Sequence, residues 1–366
     1  MRLALSVLAV LTGFACAHVE PPPGGPEDRR APTLFGTRPD TGAVVPGYSG
    51  PVVLLFDERI SEQNLEESVM VSPRTSPVAV SHGRDEIRVE LRRGWDPGVI
   101  YHVTVGDNIR DLFGNRIADP ITVVFSTGPA IPATLVRGTV SDRVTGQLPE
   151  NVRIEAVRAA DSLVYAVPPD SAGGFEISRF PEGDYQLRAF EDINRNRALD
   201  SFEARDSASI SVTAGQAVEE VLQLIEPDST APALERATLR DGFIRIETDD
   251  YLDPEQTLTP EQFGVDGPGG AVAIVSVFLG EAVAADSAGA AAPGAAGPGN
   301  LPAGRPVNFI ELELEDPAGL QEGAEYEITA SGLVNLVGLT GGGSTTLEVP
   351  EAPPAPVTAP AGGAGP

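Results

Sequence analysis

The feature that most constrains this chain is its punctuation. From Ala31 onward the apolar residues fall into short runs or strict alternations, and Gly, Pro, Asp or Asn soon interrupts each one. No apolar repeat at helical spacing persists for about ten residues, the length an amphipathic helix needs. Gly and Pro number 40 and 34 of 366 residues, about a fifth of the chain. Many short strands separated by turn residues mean sandwiches or barrels. Hydrophobic residues make up 41%, enough to build cores. The sequence therefore predicts an all-β protein of tandem β-sandwich modules with disordered linkers.

Charge and residue usage narrow the function. There are 25 basic residues against 53 acidic ones, and every basic residue is Arg. That balance argues against nucleic acid, which needs clustered positive charge. It also argues against a basic patch on anionic lipid. The one cysteine, Cys16, excludes an intrachain disulfide and a thiolate-rich metal site. The histidines His18, His82 and His102 share no metal-binding spacing. No G-x-S-x-G, H-E-x-x-H or phosphate-cradling loop is present.

The remaining candidates have plainer readings. His102 alternates with Val103 and is expected on a solvent-facing strand surface. Asp57 and Glu58, neighbours pointing to opposite faces, are expected at a strand end rather than as paired catalytic carboxylates. Asp249, Asp250 and Asp253 are expected in a solvated acidic turn. Trp95 and Tyr101 are expected in a core rather than on a sugar-stacking platform. No catalytic residue is assigned, and the chain is read as not an enzyme.

The N-terminus carries an export signal. Met1-Arg2 precedes the apolar run LALSVLAVLTGFA at residues 3–15. A membrane-spanning helix needs about 20 such residues, whereas this length suits a signal-peptide core. Ala15-Cys16-Ala17 is one candidate cleavage site. Gly13-Phe14-Ala15-Cys16 resembles a bacterial lipobox, although Gly13 stands where Leu is usual. In that reading Cys16 becomes the lipidated N-terminus and holds the protein to the bilayer. Ala17 behind it, in place of Asp, leans toward the outer membrane. The alternative is a secreted protein. The polar stretch at 16–30 is suited to a tether.

Three modules follow. In residues 31–129, Tyr101 opens a strand, Asp111-Leu112-Phe113-Gly114-Asn115 forms a turn, and Phe125-Ser126-Thr127 closes the module. This pattern resembles the bacterial Ig-like domain of the SbsA type, found in S-layer and surface proteins. Gly114 and Asn115 are expected to supply left-handed turn residues. In residues 130–227, Gly138/Val140, Gly174/Phe175 and Pro181/Gly183/Tyr185 resemble the transthyretin-like or carboxypeptidase-regulatory sandwich, which implies a spacer or binding platform. Residues 228–350 read as a degenerate copy of the first module. APALERATLRDG parallels APTLFGTRPDTG, Tyr326 parallels Tyr101, and Asn335-Leu336-Val337-Gly338 parallels Asp111 to Gly114. An Ala/Gly/Pro insert at 282–305 and a tail at 351–366 are expected to be disordered. The whole order, with Gly24-Gly25-Pro26-Glu27-Asp28 in the tether, resembles lipoproteins common in Bacteroidetes and related phyla.

One loop is chemically loaded. Asp192, Asn194, Asn196, Asp200 and Glu203 fall at positions 1, 3, 5, 9 and 12 of a twelve-residue window, with the Ala198 carbonyl at position 7. That is the oxygen-ligand spacing of an EF-hand calcium loop. Position 6 is Arg197 instead of Gly, and the flanks read as strands. The alternative is a plain turn in which Asx side chains bond their own backbone. The expected cofactor is a weak structural Ca²⁺. The expected role is a cell-envelope lipoprotein with structural, adhesive or protein-interaction duties. Its expected partners are the bilayer, through acylated Cys16, and an envelope protein or polysaccharide. A carbohydrate-binding accessory protein is the alternative, and a hydrolase with a dispersed acidic site comes third.

Overall fold

A computed structural model describes residues 28–106, 108–281 and 304–351. The expected signal segment 1–15, Cys16, the tether up to residue 27, residues 282–303 of the insert and residues 352–366 of the tail lie outside them. The chain divides into two compact units, Met1–Pro129 and Ala130–Pro366. Among the described residues the one α-helix is α1 (Leu65–Ser68), and everything else of length is strand.

The first unit holds β1 (Leu34–Arg38), β2 (Val52–Phe56), β3 (Val69–Ser72), β4 (Val78–His82), β5 (Glu86–Leu91), β6 (Ile100–Val105) and β7 (Ile121–Ser126). They form two antiparallel sheets, ordered β1-β2-β5-β4 and β3-β6-β7. In β5 the pattern is the expected one, with Ile87, Val89 and Leu91 buried and Arg88 and Glu90 exposed. The central strand β6 is buried along its whole length. That overturns the solvent-facing reading of His102, which is 4% exposed. Alternation says which residues share a face but not whether a central strand is covered on both.

The second unit begins with β8 (Leu135–Asp142), β9 (Val152–Arg158), β10 (Val164–Val167), β11 (Gly174–Ser178), β12 (Gly183–Glu191), β13 (Arg205–Val212) and β14 (Ala217–Leu224). The sheets are β10-β9-β12-β13 and β11-β8-β14, with β14 parallel to β8 and the other pairs antiparallel. Their inner faces meet around Ile154, Tyr165, Phe180, Tyr185 and Leu187.

Gly138 sits on β8 opposite Phe175 on one side and Glu220 on the other. A Cβ there would lie 1.9 Å from the Glu220 carbonyl oxygen and 2.8 Å from the Phe175 ring. The glycine of the Gly-x-Val motif is thus a close-approach position. Gly138→Ala is expected to cost about 2 kcal/mol through overpacking, read as a lower thermal midpoint. An unchanged midpoint would contradict this role.

The rest of the second unit holds β15 (Leu234–Arg240), β16 (Phe243–Leu252), β17 (Phe263–Gly267), β18 (Gly270–Ala271), β19 (Ile274–Leu279), β20 (Val307–Leu314), β21 (Glu325–Val334) and β22 (Thr340–Glu348). They have their own core, centred on Ile244, Ile246, Leu312, Ile328 and Leu347. The sheet orders are β15-β16-β20-β19 and β18-β17-β21-β22. Apart from the added hairpin strand β18, these reproduce the order of the first unit. Tyr101 and Tyr326 occupy matching positions, and each hydroxyl accepts from a backbone N–H five residues earlier, Asp96 at 2.8 Å and Gln321 at 2.9 Å. The insert falls between β19 and β20, where the first unit has only the short turn from β4 to β5.

Candidate functional site

The turn after β6 is organised by one carboxylate. Asp111 is 2% exposed, and its Oδ1 accepts from the backbone N–H of Phe113 and of Asn115, each at 2.8 Å. The Asn115 amide donates to Asp111 Oδ2 at 2.7 Å and to the Asp28 carbonyl at 3.1 Å. Of the two turn residues, only Gly114 takes the left-handed backbone, at φ +91°. The expectation for Asn115 is therefore corrected: its backbone N–H and its side-chain amide both donate to Asp111, without a left-handed φ.

Around Asp111 the fold gathers Asp28 and Glu58, so that one carboxylate oxygen of each lies within 4.8 Å of the others. Burial pushes the Glu58 carboxyl up, helped by the charges of Asp111, Asp28 and Asp57. Burial opposes ionisation at Asp111 too, but donors from Asn115, Phe113 and Gly114 outweigh it and hold that carboxyl below its ordinary value. Asp57, in the bend after β2, clamps the chain entering β1. Its Oδ1 accepts from Thr33 N–H at 2.8 Å and its Oδ2 from the Thr33 hydroxyl at 2.5 Å.

The last core repeats the arrangement with one exchange. Asn335 is 1% exposed, and its Oδ1 accepts from Val337 N–H at 3.2 Å and Leu339 N–H at 2.8 Å. Its amide donates to Asp250 Oδ2 at 2.6 Å, Asp228 Oδ2 at 3.0 Å and the Thr230 carbonyl at 3.2 Å. Asp228, Asp249, Asp250 and Asn335 thus stand where Asp28, Asp57, Glu58 and Asp111 stand in the first unit. Asp249 accepts from Ala233 N–H at 2.7 Å, as Asp57 does from Thr33. The expected solvated turn at Asp249 and Asp250 is corrected, since both lie in β16 and Asp250 is half-buried against Asn335.

Residues 28–127 match the family model of a bacterial Ig-like domain. The matched span begins at Asp28 and contains the whole carboxylate cluster. No curated protein matches the chain. Among solved structures, it is similar to a candidate carbohydrate-binding protein of Bacteroides uniformis at 11% identity, over 59% of this chain and 98% of that one, with a TM-score of 0.19. It is also similar to the major pilin subunit of Bacillus cereus, at 12% identity over 54% and 71% of the two chains, TM-score 0.19. A third is domains 1–6 of the surface layer protein SbsC, at 11% identity over 89% and 55%, TM-score 0.20.

The 192–203 loop joins β12 to β13. Asp192 is 4% exposed and Glu203 fully buried. Asp192 Oδ2 accepts from Arg197 N–H at 2.9 Å, while its Oδ1 is buried with no hydrogen-bond partner. Glu203 closes the loop, with Oε1 accepting from Ile193 N–H at 3.0 Å and Oε2 from Asp200 N–H at 2.9 Å. Asn194 Oδ1 accepts from Asn196 N–H at 3.1 Å, and Asn196 Oδ1 from Ala198 N–H at 2.7 Å. Both amides donate to Asp200 Oδ2, at 2.8 and 2.7 Å. Arg197 takes the left-handed backbone at φ +64°, so the sharp turn forms without Gly. The loop does not bring the carboxylates of Asp192, Asp200 and Glu203 as close together as those of Asp28, Glu58 and Asp111.

The other candidates take structural places. Trp95 and Tyr101 are 8% and 0% exposed, in the core as expected. His82 lies at the surface, 3.7 Å from Glu62. In the second unit a cleft of about 610 Å³ is lined by Asp142, Glu191, Asp250, Tyr251 and Asn335 among others. Burial raises the Glu191 carboxyl there, with Glu226 and Asp142 adding repulsion. Sequence reading missed both this cleft and the first-unit cluster. The visible signal was the repeated D-x-x-A-P at Asp28 and Asp228, paired with the Asp111-to-Asn335 exchange.

Proposed function

We propose that this is a non-enzymatic bacterial cell-envelope protein. Its β units hold a structural, adhesive or protein-interaction surface away from a membrane to which lipidated Cys16 anchors them. The observation that carries the reading is the bacterial Ig-like match over residues 28–127, with its strand order recurring at 234–348. The middle sandwich is read as a transthyretin-like spacer or binding platform. Among the described residues no helix is long and apolar enough to cross a membrane. The lipobox-like Gly13-Phe14-Ala15-Cys16 supports the anchor, and Ala17 behind Cys16, in place of Asp, supports an outer-membrane placement. Stable anchoring takes more than one acyl chain.

Cys16→Ala is expected to move the protein from the membrane fraction to the soluble fraction. Membrane fractionation identical to wild type would overturn the anchor. A second reading, carbohydrate binding, is favoured by one observation: Tyr251, 39% exposed, lies at the acidic cleft. Glycan-array binding by the full-length protein that Tyr251→Ala abolishes would establish it over the purely structural role.

A further inference from the structure

We propose that the 192–203 loop binds one Ca²⁺, with Asp192 Oδ1 as its founding ligand. This inference stands independently of the envelope role. Its starting point is an unpaired atom. A carboxylate oxygen removed from water without a donor is costly, and Asp192 Oδ1 is such an oxygen. Its partner oxygen is fixed by Arg197 N–H, so the carboxylate is aimed across the turn and cannot swing out to solvent without breaking that bond. A cation supplies the missing partner.

The neighbouring groups suit a hard divalent cation. Asn194 Oδ1, Asn196 Oδ1 and both Glu203 oxygens each accept one backbone N–H. Each therefore keeps a second lone pair for a metal. Asp200 Oδ2 is held among the two Asn amides, and the Ala198 carbonyl completes the set. All are oxygens, with no imidazole or thiolate, which selects Ca²⁺ or Mg²⁺ over transition metals. A pliant loop offering six or more oxygens fits Ca²⁺ better than octahedral, water-retaining Mg²⁺. The three carboxylates stand farther apart than a shared ion would hold them. Binding therefore tightens the loop: Asp200 and the Asn oxygens move toward Asp192 and Glu203.

The test is calorimetric titration and thermal melting of the full-length protein with CaCl₂, with MgCl₂ as the comparison. One site is expected, with a Kd on the order of 10⁻⁴–10⁻³ M and a higher melting midpoint in Ca²⁺. Asp192→Asn keeps an acceptor for Arg197 N–H and removes the unpaired charge. It is expected to weaken binding at least about tenfold, while leaving the metal-free midpoint equal to or above wild type. Exposed Asn196→Ala gives an independent loss of affinity if the first variant folds poorly. Glu58→Gln, in the other carboxylate cluster, is expected to leave binding unchanged. No heat and no shift at millimolar Ca²⁺ would overturn the proposal. So would binding that survives both loop variants, or binding that disappears in Glu58→Gln alone.

Discussion

Asn335→Asp is expected to destabilise the second unit by about 4 kcal/mol at neutral pH, the scale of an uncompensated buried charge. The side chain keeps its shape and its Oδ1, so Val337 and Leu339 keep their acceptor. What changes is the other end. An NH₂ that donates to Asp228, Asp250 and the Thr230 carbonyl becomes a carboxylate oxygen facing two carboxylates and a carbonyl. Burial already raises the Asp250 carboxyl, and the Asn335 amide is the chief influence lowering it. With that amide gone, both Asp250 and the introduced carboxyl have folded-state pKa values above their unfolded ones. Such groups contribute stability that is present at low pH and lost as pH rises through the folded value. The deficit relative to wild type should therefore shrink between neutral pH and about pH 5. Calorimetric midpoints at the two pH values check this. Equal deficits at both would show that lost shape, not charge, is responsible.

The same substitution written backwards is what the first unit contains. Asp111 holds its turn with the same two backbone bonds as Asn335, yet it presents a carboxylate to Asp28 and Glu58. The first unit meets the problem from outside, through the Asn115 amide on Asp111 Oδ2 and through the partial exposure of Asp28 and Glu58. The last core meets it from inside, with Asn335 itself as the donor. One turn architecture thus accommodates either a polar cross-link or a concentration of negative charge.

Much of this was legible in the chain. Alternation in β5 and in the Tyr326 strand places the cores, because a period of two leaves little choice of face. The internal repeat was readable as well, since turns need particular residues at fixed offsets. The carboxylate cluster was not. It joins Asp28, Glu58 and Asp111, far apart in sequence, and nothing in local pattern says that a strand end and a later turn converge. Burial of His102 was missed for a similar reason: one strand's alternation carries no information about what covers its second face. In the 192–203 loop, spacing identified the ligand-like residues. Only the folded loop shows that Asp192 Oδ1 lacks a partner or that Arg197 takes a backbone usually left to Gly.

Phe125→Ala is expected to cost about 4 kcal/mol, because it removes the ring on which the first unit's aromatic cluster is assembled. Phe125 is fully buried. It stacks on Tyr101 at 5.6 Å and meets the edges of Trp95 at 5.1 Å and Tyr48 at 5.8 Å. Each such contact adds to simple area burial, and the rigid strands β6 and β7 cannot collapse to fill the space. Trp95 is the sole tryptophan, so its fluorescence follows the first unit through a denaturant titration. The midpoint should fall sharply in Phe125→Ala. In Phe125→Leu, which retains most of the volume, the cost should be about 1–2 kcal/mol. A cost below about 1 kcal/mol for the Ala variant would mean the cavity is refilled and the cluster is not the keystone of the core. The motif partner Thr127 explains why the ring has a fixed place. Its hydroxyl donates to the Asp96 carbonyl at 2.7 Å and accepts from Val99 N–H at 3.0 Å. That ties the end of β7 to the Trp95–Ile100 segment that carries the facing aromatic. The Phe-x-Thr pair thus acts as one device, a ring that fills the core and a hydroxyl that holds the surrounding loop against it.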